Sequence, residues 1–243
     1  MLRHLGGLSL LAWSSALAVV TGRMALRDLV SQMVVIGVQS VPLVSVIAAA
    51  SGIVSSQQGG YQLTTALPLY ILGAAVTSGI VLELAPLMTA IGLIGRVGAR
   101  ITAELGTMQV SEQIDALHAL GRDPVVVLTA PRILAGLLAT PLLVLWADAV
   151  GLGAGMISAS LAANVTRETF LFGARLNWHT WDLFYGLIKG ATFGFMIPLI
   201  SSYMGLLTSG GAEGVGRSTT TAVVTMIMAV FLSDAVFPPL LLN

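Results

Sequence analysis

The chain has 243 residues, 56% of them hydrophobic and only 9% charged, with a formal net charge of zero and no cysteine. Soluble domains carry roughly 25% charged residues, so this composition excludes a water-solvated globule, and the long continuous apolar runs exclude a barrel built from short alternating segments. Neutrality gives no general attraction for nucleic acid, and the lack of cysteine removes disulfides and thiol chemistry.

The expected class is therefore an all-α integral membrane protein. The first apolar run, Leu5–Val20, is short for a crossing and lies between Arg3 and Arg23. Its basic start, apolar centre and Ala16-Leu-Ala18 fit a cleaved signal peptide, but the preferred reading is an uncleaved helix lying in the membrane interface. Residues 1–30 are read as that helix and its linker, and residues 31–243 as a transmembrane bundle, together one domain. A crossing needs ~20 apolar residues. Five segments qualify: Gln32–Ser55, Ala66–Ile94, Ile133–Ala162, Leu183–Thr208 and Thr219–Leu242. Several exceed the minimum, so tilts or kinks are expected, with Pro42, Pro68, Pro86, Pro141 and Pro198 as kink points.

Between the second and third spans, Gly95-Arg-Val-Gly98 leads into Ala103-Glu-Leu-Gly-Thr-Met-Gln-Val-Ser-Glu-Gln-Ile-Asp-Ala-Leu117, closed by Gly121-Arg-Asp-Pro124 and Pro131-Arg132. A short helix over about residues 111–120 is expected. Ser111 would be its N-cap, with Glu112 and Asp115 in the first turn, where the helix dipole favours negative charge. Ile114, Leu117 and Leu120 form a narrow apolar stripe, Gly121 suits the C-cap, and Pro124 prevents continuation. Such a helix either rests on the membrane or docks into a groove of a cytoplasmic partner, and the residues alone do not choose.

In the next connection, the glycosylation sequon Asn164-Val-Thr166 is read as chance, and His179 with Asp182 as an interfacial pair beside Trp178 and Trp181. Gly186, Gly190 and Gly194, spaced by four, and the pair Gly151 and Gly155 are faces for close helix approach, within the subunit or across a dimer. Before the fifth span comes Gly210-Gly-Ala-Glu-Gly-Val-Gly-Arg-Ser-Thr-Thr-Thr-Ala-Val-Val224. It follows a helix rather than a strand and lacks the Gly-Lys-Ser/Thr ending of a nucleotide loop. Its glycines suit a tight turn with positive φ. Glu213 and Arg217 would pair with each other or with the cytoplasmic helix, and Ser218 to Thr221 would cap and back-bond the next helix.

Four ionisable residues fall inside spans: Glu83, Asp148, Lys189 and Asp234. At ~1.5 Å per residue, Lys189 lies roughly 10 Å from the outer end of its span, and Asp148 and Asp234 lie roughly 25 Å from the inner ends of theirs. These three share the outer half of the bilayer, where Lys189 would pair with either acid. Glu83 lies deeper, beside Pro86, where a helix irregularity would expose backbone. Two readings stay open: a salt bridge locking helices together, or a polar patch in a lipid-binding vestibule whose lysine attracts a phosphate.

Basic residues set the orientation. With the N-terminus inside, Arg3, Arg23, Arg27, Arg96, Arg100, Arg122, Arg132 and Arg217 lie inside, against Arg167, Arg175 and the intramembrane Lys189. The N-terminus is thus expected in the cytoplasm and Asn243 on the far side.

The segments Glu104–Met108, Ser111–Leu117 and Gly121–Pro124, with Gly210–Val224, closely resemble the MlaE/YrbE permease family, and the likeness runs from about Arg27 to Leu240. These permeases are membrane subunits of ABC systems that move lipids between membranes together with MCE-domain proteins. The resemblance implies a bacterial inner-membrane protein with a periplasmic C-terminus, paired with a second copy of itself, an MCE-domain periplasmic protein and a cytoplasmic ABC ATPase that holds ATP and Mg. It makes the helix around 111–120 the coupling helix, with Ser111, Glu112, Gln113, Asp115, Leu117 and Arg122 toward the ATPase. The family's longer first outer loop is reduced here to Gln57–Thr65.

Other classes fare worse. An ion-driven secondary transporter would use Glu83, Asp148 and Asp234 as ion sites, but no inverted repeat is visible. An enzyme, including a lipid-modifying one, lacks a constellation: His4, His118 and His179 are far apart and no serine has a nucleophile-elbow context. No metal or cofactor is expected in this chain.

Overall fold

The computed structural model describes residues 2–22, 24–62 and 68–241, which are almost entirely helical and contain no strand. Of the positions singled out above, Arg23, Thr65, Ala66, Leu242 and Asn243 lie outside the described residues, as does the side chain of Arg3.

A shorter apolar helix, α1 (Leu2–Val20), is followed by five helical stretches long and apolar enough to cross a membrane. The first joins α2 (Leu26–Ile36) to α3 (Val41–Gln62) through a 3₁₀ turn at Val38–Ser40. The second runs from α4 (Tyr70–Gly79) through α5 (Ala85–Leu93) to α6 (Ala99–Val110). After α7 (Gln113–Ala119) come α8 (Ala130–Ala162), α9 (Arg167–Leu176), α10 (Thr180–Leu206) and α11 (Gly211–Leu241).

Wider π-helical turns interrupt the long helices at Ile80–Leu84, Ile94–Gly98 and Val125–Thr129. Two of them end two residues before a proline, ahead of Ala85-Pro86 and Ala130-Pro131. Proline has no N–H for the carbonyl four residues back and its ring crowds that carbonyl, so a widened turn lets the helix continue where a regular one would kink. The third contains Gly95 and Gly98.

Several expected boundaries move. The second span does not stop at Ile94 but stays helical to Val110, because a helix need not end where apolar residues give way to Arg96, Arg100 and Glu104. The third begins with the π turn at Val125, the fourth starts at Thr180, and Gly211 already opens the fifth. Most of the expected outer loop Gln57–Thr65 belongs to α3, which continues to Gln62.

The chain forms two compact units: Met1–Ser40 with Leu93–Thr140 and Ala191–Asn243, and Val41–Gly92 with Pro141–Gly190. In the first unit Leu11 of α1 is buried with Ile133 and Leu199. Gly98 lies against Met226 and Ile197, and Gly205 against Thr102 and Leu105, so α6 packs closely on α10 and α11. In the second unit a Cβ on Gly52 would fall 2.0 Å from the Gly151 carbonyl, and Gly155 faces Gly52 in turn, a crossing that only small residues permit. The glycine stripe of α10 is likewise used inside the chain: Gly190 meets Pro141 and Val144, and Gly194 meets Gly136 and Thr140.

The helix α9 is not among the expected elements. Its N-cap is Thr166, whose hydroxyl accepts from the Thr169 amide at 3.2 Å, while the preceding Asn164 adopts a left-handed φ of 52°. It buries Phe170 and Gly173 against α4, where added Cβ atoms would fall 2.1 Å (Gly73) and 1.8 Å (Gly173) from partner carbonyls.

Candidate functional site

The polar connection takes its shape from local hydrogen bonding. Ser111 is not the N-cap of α7: it ends α6, its hydroxyl donating to the Thr107 carbonyl at 2.7 Å. The chain then turns at Glu112, which takes a left-handed φ of 59° and precedes α7 without a side-chain cap. The reason is that α6 has nothing to stop it before Val110, so Ser111 meets a helix end behind it rather than a start ahead. The Gln113 side-chain amide donates to Ser111 Oγ at 3.0 Å, tying the two helices across the turn.

The other end of α7 follows expectation. Gly121 adopts φ 71°, its N–H bonds to the His118 carbonyl at 2.9 Å, and the Arg122 N–H bonds to the Leu117 carbonyl at 3.0 Å. This is the Schellman pattern that satisfies helix-terminal carbonyls. Asp123 Oδ1 then accepts from the Val125 amide at 2.8 Å and opens the next helix. Of the apolar stripe, Ile114 is buried and Leu117 half-buried, whereas Leu120 is 76% exposed. Glu112, Gln113, Asp115 and Arg122 are all exposed, with Asp115 in the first turn of α7.

The base of this hairpin is held by a pair absent from the expected site residues. Buried Arg132 donates from Nη2 to Glu104 Oε1 at 2.7 Å and from Nη1 to the Leu128 carbonyl at 2.6 Å. Arg100 Nε lies 4.0 Å from the other oxygen of Glu104. Both partners stand in the signature stretch, Glu104 at its start and Arg132 at its end, but nothing in their spacing of 28 residues reveals that they meet.

In the second unit, Lys189 is fully buried on α10, and Nζ meets Glu83 Oε2 at 2.7 Å, an acid that the expected pairing with Asp148 or Asp234 did not include. Nζ also donates to the Leu82 carbonyl at 3.2 Å and lies 5.3 Å from the centre of the Tyr185 ring. Leu82 is four residues before Pro86, whose missing N–H leaves that carbonyl without its helical partner. The irregularity expected beside Pro86 is therefore where the lysine docks. Gly186 allows it: a Cβ there would stand 3.0 Å from the Val81 carbonyl. Asp148 is buried on α8 with Oδ1 lacking a hydrogen-bond partner among the described residues, and Asp234 is buried on α11.

The second signature is a helix start more than a loop. Only Gly210 (φ 90°) and Gly211 (φ 68°) use the left-handed region, whereas Gly214 and Gly216 lie in α11. Exposed Glu213 and Arg217 form no ion pair among the described residues, contrary to expectation. Ser218 does not cap α11; its hydroxyl reaches the Met204 carbonyl at 3.0 Å and fastens α11 to α10. Thr219, Thr220 and Thr221 back-bond to Val215, Gly216 and Arg217 as expected. His179 Nδ1 lies 3.9 Å from Asp182 Oδ2.

Five apolar helical stretches and a capped polar hairpin define a multi-pass membrane protein with a projecting short helix. Comparison with known proteins gives the family. The profile of the family described as Permease MlaE matches residues 29–239, so the chain belongs to the MlaE permease family, the membrane subunits of ABC transporters. A probable ABC transporter permease protein of Synechocystis sp. is 36% identical over 218 residues, covering 90% of this chain and 83% of the relative. Another from Rickettsia felis is 32% identical over 232 residues, 96% of this chain and 90% of the relative. The chloroplastic protein Trigalactosyldiacylglycerol 1 of Arabidopsis thaliana is 41% identical over 154 residues, 63% of this chain and 44% of that protein.

Proposed function

We propose that this chain moves phospholipid or a similar amphipathic lipid between membranes, driven by a separate cytoplasmic ABC ATPase that binds ATP and Mg. In this reading it lies in a bacterial inner membrane with its N-terminus in the cytoplasm, pairs with a second copy of itself and hands lipid to or from an MCE-domain periplasmic protein. The observation that carries the reading is α7: a short, exposed, acidic-led helix, stopped at a left-handed residue on one side and a Schellman turn on the other. Behind it Glu104–Arg132 ties α6 to α8, so force on α7 passes into two long helices rather than into a slack loop. Ser111, Glu112, Gln113, Asp115, Leu117 and Arg122 form the ATPase-facing surface, Glu213 and Arg217 a secondary cytoplasmic contact, and Glu83, Asp148, Lys189 and Asp234 the polar side of the lipid path. The name of the Arabidopsis relative, that of a diacylglycerol lipid, supports the substrate class.

The test is to replace Asp115 or Glu112 by Lys in the assembled transporter. Both residues are exposed, so the fold is expected to stay within about 0.5 kcal/mol of the parent. ATPase association or lipid-stimulated hydrolysis is expected to be lost. Unchanged assembly and hydrolysis in both variants, or lipid transport by the isolated subunit under an ion gradient alone, would overturn the reading.

A further inference from the structure

An open apolar groove of about 250 Å³ runs along the second unit, lined among others by Leu152, Gly153 and Met156 of α8, by Leu171 and Arg175 of α9, and by Trp178 just after that helix. It is smaller than the ~300–1,000 Å³ of pockets that enclose a whole small ligand, so it admits a stretch of hydrocarbon chain and leaves any polar head outside. One rim carries charge. The guanidinium of exposed Arg175 has no carboxylate or hydrogen-bond partner among the described residues, although the chain places it in a helix otherwise packed tightly through Phe170 and Gly173. Trp178, 43% exposed, lies one turn further on, its amide bonded to the Arg175 carbonyl. Indole beside a basic side chain is the pairing that membrane proteins place at headgroup level. An arginine fork matches the oxygens of a phosphate.

We propose that this groove holds one acyl chain of an anionic phospholipid, with Arg175 on its phosphate and Trp178 against the glycerol region. Charge complementarity selects the occupant: an apolar segment of another protein would leave the guanidinium unpaired, whereas an anionic lipid satisfies groove and cation together. The inference deepens the lipid-transport reading by naming the headgroup class of a lipid the permease holds. Its test needs no ATPase, so either can fail without the other.

The full chain, with Trp13, Trp146 and Trp181 replaced by Phe so that Trp178 is the single indole, is reconstituted in phosphatidylcholine vesicles. A small fraction of brominated phosphatidylglycerol or brominated phosphatidylcholine is added. The anionic quencher is expected to act with about fivefold higher apparent affinity, the contribution of roughly one basic residue at a membrane surface. Arg175→Gln is expected to abolish that preference. Gly153→Phe fills the groove from a position where an added Cβ meets nothing within 4 Å, and is expected to weaken quenching by both lipids. Equal quenching by the two lipids with Arg175 present, a preference that survives Arg175→Gln, or no quenching by either would overturn the proposal. Should Gly153→Phe fail to fold, the Arg175→Gln comparison still decides.

Discussion

Among the described residues each compact unit contains one buried basic side chain, and the two are held by the same device built in different ways. Arg132 pairs with Glu104 and with the carbonyl of Leu128, inside the π turn Val125–Thr129. Lys189 pairs with Glu83 and with the carbonyl of Leu82, inside the π turn Ile80–Leu84. In both, a widened turn next to a proline offers a main-chain oxygen and a neighbouring glutamate supplies the charge. The difference lies in where the oxygen comes from. Arg132 reaches back four residues along its own helix, whereas Lys189 crosses from α10 to a carbonyl that Pro86 has stripped of its helical partner. The arginine therefore staples two helices through a side chain alone. The lysine repairs a backbone defect in the helix it docks against.

The largest effect should come from breaking the arginine's pair. Glu104→Ala leaves a charge that is only 4% exposed without its acid, a change that costs about 3–5 kcal/mol when a buried ion loses its partner. The double variant Glu104→Ala with Arg132→Met is expected to recover most of that loss, because the charge leaves together with its partner. Thermal unfolding of the purified subunit in detergent checks both, and a double variant as unstable as the single one would refute the staple. Glu83→Gln should cost less, about 1–2 kcal/mol, since an amide oxygen still accepts from Nζ and the Leu82 carbonyl is untouched. A larger loss for Glu83→Gln than for Glu104→Ala would reverse the comparison.

Why the two pairs read so differently in the sequence follows from the same turns. The existence of five spans was legible, because length and apolarity alone decide whether a segment can cross. So was Gly121, because a positive-φ position after a short periodic stretch has few alternatives to glycine. That Glu83 is a partner of Lys189 was not. Counting residues along a regular helix assigns each side chain a face, but one extra residue in a π turn rotates everything beyond it by about 100°. Glu83 sits inside such a turn, so its facing is not recoverable from spacing. Glu104 and Arg132 were legible as members of a signature stretch, but their contact depends on α6 continuing to Val110, a helix extension that polar residues concealed. Ser111 shows the same error in small: read as a start, it serves as an end because the helix before it is longer than its apolar part. The helix α9 escapes a reading by span length because its ten residues, half of them apolar, are too few to cross and look like connection, and only the cap at Thr166 marks it.

The smallest expected effect probes the approach that lets the lysine repair its neighbour. Gly186 lies three residues before Lys189, and a Cβ there would stand 3.0 Å from the Val81 carbonyl and 3.8 Å from Pro86 Cγ. That spacing is tight but short of collision, so Gly186→Ala should push α10 outward by a few tenths of an ångström and cost about 1 kcal/mol. In a regular helix the same change would gain about 1 kcal/mol from the higher helix propensity of alanine, so the sign of the shift is the informative part. Pro86→Ala gives the Leu82 carbonyl an N–H to accept from within its own helix, removing the need for close approach. If the lysine is the repair of a proline defect, Gly186→Ala should lose less stability in the Pro86→Ala background than in the parent, by a difference readable in paired melting curves. Identical losses in the two backgrounds would mean that the glycine serves packing alone.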